Sequence, residues 1–169
     1  DLDVLVACQR CAGGLLWKND GAGRFTDAST GLPQRAGATD YEPMDVDGDG
    51  DLDLVTLDDG AAHRETLLVN DGGGRFDDRS ATSLPAAANP ADTTDVAAMW
   101  LDVDSDRDAD LLIGSRSEPD RLLRNDGAAG FTAVADPLPL ATPGTLGLAL
   151  ADLDHDGRLD LVQAQGDPA

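Results

Sequence analysis

The chain has 169 residues, enough for one domain, and its 33 acidic residues against 12 basic ones give a formal net charge of −21. A field this negative repels phosphates, so we expect no nucleic-acid partner. The sequence has no apolar run near the ~20 residues of a membrane-spanning helix, so we expect no membrane insertion.

Only three of the acidic residues are glutamate, and the aspartates cluster instead of scattering as they would on a generally acidic surface. This preference for the shorter side chain favours tight turns and loops that present oxygen ligands.

The N-terminal stretch "DLDVLV" (1–6) begins in mid-pattern, without an initiating Met or a signal peptide, so we expect the chain to be a piece of a longer protein. The two cysteines, Cys8 and Cys11, form a C-x-x-C. The sequence after it lacks the helix of a redox site, and no second pair completes a zinc site. A local disulfide and two free thiols both remain open.

An acidic unit recurs along the chain. It reads "DVDGDGDLDLV" at 45–55, "DVDSDRDADLL" at 102–112 and "DLDHDGRLDLV" at 152–162. A second unit, which contains Asn-Asp-Gly, follows the first two of these acidic units: "LLVNDGGGRF" (67–76) and "LLRNDGAAGF" (122–131). Anchored on Asp3, Asp53, Asp110 and Asp160, the repeat is about 50 residues long, which is typical of propellers and solenoids.

Each repeat contains four short strand patterns, in the order strand A, acidic loop, strand B, strand C, Asn-Asp-Gly turn, strand D. Four-stranded sheets that repeat radially form a β-propeller. The sequence therefore predicts an all-β fold, a partial β-propeller of four-stranded antiparallel blades.

We expect one domain over 1–169 with about three repeats, that is, two complete blades and split end blades. The units are approximately 1–34 (strands B–D), 38–85, 94–138 and 143–169 (strands A–B). Propellers close with four to eight blades. Either the chain is part of a longer propeller, or self-association through the open sheet edges completes the ring.

The alternate aspartates of the first acidic loop predict a calcium site. Side chains at loop positions 1, 3, 5 and 9 supply oxygens, and position 7 adds its backbone carbonyl. These are Asp45, Asp47, Asp49 and Asp53, with the Asp51 carbonyl. Gly50 turns the chain at position 6, and we expect Leu52 at position 8 to point into the blade.

The other two loops repeat these ligands. The second offers Asp102, Asp104, Asp106 and Asp110 with the Asp108 carbonyl; the third offers Asp152, Asp154, Asp156 and Asp160 with the Arg158 carbonyl. We expect Ca²⁺ at the first and third loops and, more weakly, at the second. There Arg107 occupies position 6, which costs roughly 1–2 kcal/mol if φ is positive.

Other interpretations of the acidic loops fit less well. An EF-hand or a dockerin needs a glutamate at position 12 and a following helix, whereas Thr56, Ile113 and Gln163 stand there. Mg²⁺ prefers to keep its waters. Acidic turns without a metal remain the simplest alternative.

The two elements D-x-D-x-D-G-x-x-D-L and N-D-G-x-G-x-F resemble the FG-GAP/VCBS-type repeat, which is similar to the calcium-binding blades of integrin α-subunit propellers. The resemblance covers the chain from Asp1 to about Gln165. It implies a seven-bladed propeller in the parent protein, an extracellular or cell-surface location, and calcium in the loops between strands A and B.

The function that we expect is a non-catalytic, calcium-stabilised adhesion or ligand-binding module, whose partner is a protein or a glycan. The alternative is a fragment of a carbohydrate-active enzyme or a lectin, such as a lyase, which would need a base near the sugar carboxylate. Basic residues are sparse, and His63 is a lone loop histidine. A scaffold that only assembles through its sheet edges is a third hypothesis.

Overall fold

The computed structural model describes residues 1–8, 13–34, 37–58, 64–87, 89–127, 129–135, 137–138 and 144–166. Cys11 and His63 lie outside these residues, and Cys8 is not a free thiol. Helix in the described part is limited to two single turns, Ser29–Gly31 and Ser80–Ser83. Among the described residues, no helix is long and apolar enough to cross a membrane.

The strands of the described residues form four antiparallel sheets, which we call blades 1 to 4. The first two blades contain β1 (Val4–Val6), β2 (Leu15–Asn19) and β3 (Phe25–Asp27), then β4 (Ala38–Met44), β5 (Asp53–Asp58), β6 (Thr66–Asn70) and β7 (Phe76–Asp78). The last two contain β8 (Asp95–Leu101), β9 (Asp110–Ser115), β10 (Arg121–Asn125) and β11 (Phe131–Ala133), then β12 (Thr145–Ala151) and β13 (Asp160–Gln165).

Hydrogen-bonded neighbours follow chain order in every blade: β1-β2-β3, β4-β5-β6-β7, β8-β9-β10-β11 and β12-β13. Blades 2 and 3 are therefore complete, with strands A to D, whereas blade 1 has strands B to D and blade 4 has strands A and B. This confirms the predicted all-β fold, a partial propeller with two complete blades and split end blades.

The apolar runs form strands because the inner blades are covered on both faces. Side chains alternate between the two faces of a strand. In β5, Leu54 packs into a cluster with Leu16 and Tyr41 on the side of blade 1. Its neighbour Val55 packs with Ile113 on the side of blade 3. A strand between two blades thus needs apolar residues in succession, which explains "LDLVTL".

Strand A of each blade packs against the preceding blade: β4 contacts β1, β8 contacts β4 and β5, and β12 contacts β8 and β9. All three A strands have an irregular register near their first residue, between Ala38 and Asp40, between Asp95 and Ala97, and between Thr145 and Gly147. Such irregularities bend a strand and increase its twist. Their recurrence gives blades 2, 3 and 4 the same entry geometry.

The end of the blades away from the acidic loops contains buried charges. Glu65, just before β6, and Asp95, the first residue of β8, are each 1% exposed. Arg121 Nη2 lies 2.5 Å from Asp95 Oδ2 and 3.6 Å from Glu65 Oε2. We call Glu65 and Asp95 the acid pair; it joins blade 2 to blade 3.

One guanidinium cannot neutralise two buried carboxylates, and the acid pair responds by holding a proton. Burial, and then the hydrogen bond and charge of Asp95, raise the pKa of Glu65 to about 9. Burial acts to raise the pKa of Asp95 too, but the hydrogen bond from Glu65 and the charge of Arg121 outweigh it and lower that pKa. With both groups ionised, Asp95 Oδ1 and both Glu65 oxygens lack a donor among the described residues. A proton on Glu65 provides one, so Glu65 is neutral at pH 7.

Candidate metal centre

Each acidic loop brings three carboxylates together, those at loop positions 1, 3 and 9. In every loop the three candidate ligand oxygens lie within 4.8 Å of one another. The groups are Asp45, Asp47 and Asp53; Asp102, Asp104 and Asp110; and Asp152, Asp154 and Asp160.

The alternate spacing of the aspartates arises from the way the loop winds. Asp45 accepts the N–H groups of Gly48 at 2.8 Å and Gly50 at 3.0 Å, and Asp47 accepts that of Asp49 at 3.3 Å. An aspartate that accepts an N–H from a residue ahead of it replaces a backbone hydrogen bond in a turn. Successive turns of this kind collect the carboxylates on the inside of the loop.

Two positions of each loop require a left-handed backbone. In the first loop they carry Gly48 (φ 77°) and Gly50 (φ 95°). The second loop forces Ser105 (φ 66°) and Arg107 (φ 81°) into this region, which confirms the strain expected at position 6. His155 has φ 62° at position 4 of the third loop. The requirement at position 4 was missed, although Gly48 is a sequence signal for it.

Position 9 anchors each loop to its blade. The buried Asp53 accepts the N–H of Val46 at 3.0 Å and that of Asn70, the last residue of strand C, at 2.8 Å. Asp110 accepts the equivalent N–H groups of Val103 at 2.7 Å and Asn125 at 2.8 Å. The sequence predicted a turn at the Asn-Asp-Gly element, but the contact of its asparagine with the loop was not predicted.

The donor set fits Ca²⁺. Oxygens bound to one Ca²⁺ at 2.3–2.6 Å lie at most about 5 Å apart, and Ca²⁺ takes carboxylate oxygens in flexible geometry. Three carboxylates that meet this limit recur at the same positions of three loops.

The repeats also match a known family. A family model for the FG-GAP-like repeat matches residues 1–56, 45–99 and 102–162, nearly the whole chain. The chain belongs to the FG-GAP-like repeat family. This confirms the resemblance seen in the acidic and Asn-Asp-Gly elements. No curated protein matches the chain significantly.

Repulsion and burial within the FG-GAP-like loops act on the carboxylates of the candidate sites. Burial raises the pKa of Asp53, and the charges of Asp47 and Asp49 add to this, although its two backbone hydrogen bonds act in the opposite direction. The pKa of Asp104 is raised by desolvation and then by the charge of Asp106. A bound cation would relieve both effects.

The second loop has a basic neighbour of its own. Arg124 Nε lies 3.8 Å from Asp104 Oδ2, and Arg124 Nη2 lies 2.6 Å from Asp126 Oδ1. The register places Val69 at the equivalent position of blade 2. Arg124 therefore partly offsets the charge of the second loop and repels a cation there.

The remaining predicted ligands lie outside the groups of three. At position 5, Asp49 and Asp106 each accept an N–H two residues ahead, and Asp156 also pairs with the Arg158 guanidinium. At position 7, the side chains of Asp51 and Asp108 face the Asn-Asp-Gly turns, against Gly72 and Gly127. Ligation by position 5 and by the carbonyls of Asp51, Asp108 and Arg158 stays a prediction.

The expectation for Leu52 was wrong. Leu52 is 58% exposed, and the residue that enters the space between blades is Val46 at position 2. The same N–H bond to position 9 leaves Val103 42% and Leu153 62% exposed, so it does not by itself bury position 2. Val46 is buried because blade 3 packs over it.

Proposed function

We propose that this FG-GAP-like repeat chain is a calcium-binding, non-catalytic module of a secreted or cell-surface protein. The observation that carries the proposal is the threefold recurrence of carboxylates at positions 1, 3 and 9, within 4.8 Å of one another. A chain with a net charge of −21 gains most from a divalent cation where its carboxylates already converge.

The calcium is structural in this proposal. Bound Ca²⁺ would supply positive charge to each loop between strands A and B. Asp45, Asp47 and Asp53 would hold it in the first loop, and the equivalent residues would do so in the others. The chain's own part is to fix these carboxylates through backbone N–H groups, which limits the ordering cost of binding. Metal binding is then coupled to folding of the loops.

The ligand-binding part of the proposal rests on grooves between blades. One groove, of ≈ 420 Å³, lies between blades 1 and 2 and is lined by Leu32, Arg75 and Phe76, among others. A second, of ≈ 330 Å³, lies between blades 2 and 3 and includes Asp47 and Arg79. Each groove places one arginine and one aspartate beside apolar side chains, a mixture that suits a protein or glycan segment.

The absence of catalysis is proposed because the compact acidic clusters already have a role as calcium loops. A screen of acidic polysaccharides tests this: binding without release of unsaturated products supports a binding module. Turnover would favour the lyase alternative.

The calcium proposal is tested by calorimetric titration and by thermal unfolding with and without chelator. We expect three sites with dissociation constants of about 10⁻⁴–10⁻³ M, as in extracellular modules. A site with a dissociation constant of 10⁻⁴ M stabilises the fold by about 2.7 kcal/mol at 10 mM calcium.

A matched pair of variants locates the sites. Asp45→Asn with Asp47→Asn should remove one site, whereas Asp77→Asn, at a 58% exposed side chain outside the loops, should remove none. An unfolding temperature that does not respond to calcium or chelator would reject the proposal.

A further inference from the structure

Asn125, the last residue of β10, contacts two acidic loops at once. Its backbone N–H donates to Asp110 Oδ1 of the second loop at 2.8 Å. Its side-chain Nδ2 donates to the Val46 carbonyl of the first loop, also at 2.8 Å, although the two residues are 79 positions apart. Asn125 is 1% exposed, so water does not compete for these bonds.

The connection continues to the ligands of the first loop. The N–H of Val46 donates to Asp53 Oδ2 at 3.0 Å. An unbroken series of hydrogen bonds therefore runs from Asp53 through Val46 and Asn125 to Asp110. All four residues are buried, and its two ends are the position-9 carboxylates of neighbouring loops.

We propose that Asn125 couples the cation sites of the first and second loops, so that filling one raises the affinity of the other. This inference rests on the calcium function proposed above and adds a regulatory link between two of its sites.

The coupling follows from shared ordering. A cation at the second loop fixes the Asp110 carboxylate, and with it the Asn125 backbone and side-chain amide. The amide then holds Val46, whose N–H orients Asp53 for the next cation. A second ion that meets an already ordered ligand costs less conformational entropy.

In the described part of the chain, neither Asn70, the equivalent residue of blade 2, nor the third acidic loop makes such a link. Asn70 makes the same backbone bond to Asp53, but its Nδ2 donates to the Leu52 carbonyl of its own blade at 3.1 Å. In the third loop, Leu153 donates to Asp160 at 2.9 Å. Within the described residues, no hydrogen bond joins this loop to another blade, so it is an internal reference.

Electrostatic repulsion between the two bound cations predicts coupling of the opposite sign, so the sign of the measured coupling tests the proposal. Two bound cations repel one another, so charge alone would make the second ion bind more weakly. Positive coupling between the first and second loops requires the structural link.

The experiment measures site-resolved calcium affinity by NMR, with the amide of Gly50 for the first loop and that of Gly157 for the third. The second loop is disabled by Asp102→Asn with Asp104→Asn, in three backgrounds: the unchanged chain, Asn125→Ala and Asn70→Ala. Asn70→Ala is the matched control, because it also removes a turn asparagine but leaves the link between blades intact.

Disabling the second loop should weaken calcium binding at Gly50 by about 2- to 10-fold in the unchanged chain, the range that one buried hydrogen bond contributes. The loss should persist with Asn70→Ala and largely disappear with Asn125→Ala. An equal loss with and without Asn125 would reflect only the two negative charges removed at Asp102 and Asp104 and would overturn the proposal, as would no loss at all.

A measurement on the unchanged chain covers the case in which Asn125→Ala does not fold. Titration curves at Gly50 and Arg107 should be steeper than the curve at Gly157, and equal steepness at all three would refute the coupling. If calcium shifted none of these amides, the calcium function itself would be rejected, and the coupling with it. A readout without calcium tests the hydrogen-bond link by itself: in the calcium-free protein, disabling the second loop should shift the NMR signal of the Val46 amide.

Discussion

The buried acid pair predicts that the protein loses stability as pH rises through neutrality, and Glu65→Gln should remove this dependence. The charged groups that face Glu65 are Asp95 and Arg121, and the pKa of Glu65 is raised from 4.5 to about 9, chiefly by burial. A carboxyl with a raised folded-state pKa is protonated when folded and ionised when unfolded between the two values. The folded chain then binds the extra proton, so the free energy of unfolding falls as pH rises through this window.

The magnitude follows from one proton. The slope is at most about 1.4 kcal/mol per pH unit, so the free energy of unfolding should fall by up to about 2.7 kcal/mol from pH 6 to pH 8. The lowered pKa of Asp95 affects the free energy of unfolding only at acidic pH, because the stability that it contributes is lost only as pH falls through the folded-state pKa. It therefore leaves this window unaffected.

The assay is urea unfolding at fixed calcium concentration, repeated from pH 6 to pH 8. Glu65→Gln keeps the size of the side chain, stays neutral and donates to Asp95 through its amide, so its slope should be nearly flat. Glu118→Gln changes an exposed glutamate and should retain the slope of the unchanged chain. A flat or rising stability in the unchanged chain, or an unaltered slope in Glu65→Gln, would refute the shared proton.

Three further variants test other features. Arg107→Gly should stabilise the fold by about 1 kcal/mol and tighten calcium at the second loop, because φ at this position is 81°; unchanged urea and calcium titrations would contradict the strain. Arg124→Val should tighten calcium at the second loop, more so at low salt, since it removes a cation 3.8 Å from Asp104; weaker calcium in a calorimetric titration would argue for a supporting role of Arg124 instead. Leu67→Ala should lower the free energy of unfolding in urea by about 2–5 kcal/mol because Leu67 is fully buried. Leu52→Ala should change it by no more than about 0.5 kcal/mol because Leu52 is exposed. Equal losses would place both side chains in the core.

The strands and their order could be predicted because every blade repeats them and because inner blades are buried on both faces. Leu54 and Val55 face different blades, so the apolar run through β5 was visible in the sequence. The aspartates at positions 1, 3 and 9 were visible for a similar reason, since the turns of the loop require them at fixed spacing.

The sequence could not predict contacts between residues that only the folded arrangement of the blades brings together. Asn70 and Asn125 occupy the same motif, yet one amide bonds its own blade and the other the preceding blade. Val46 and Leu52 are both apolar, and the packing of blade 3 over the loop decides that Val46 is the buried one. The acid pair joins residues 30 positions apart that belong to different repeats, and no local pattern marks them.

The burial of β5 on both faces makes this protein a row in which each blade is supported by its immediate neighbours. The stability of such a row is a sum of terms for single blades and terms for junctions. Among the described sheets, blades 2 and 3 each have a neighbour on both sides, so their amides should be the most protected when this chain is studied alone. The junction between blades 2 and 3 is stabilised at one end by the protonated acid pair and at the other by Asn125. Its strength decides whether the chain unfolds in one step or as two halves.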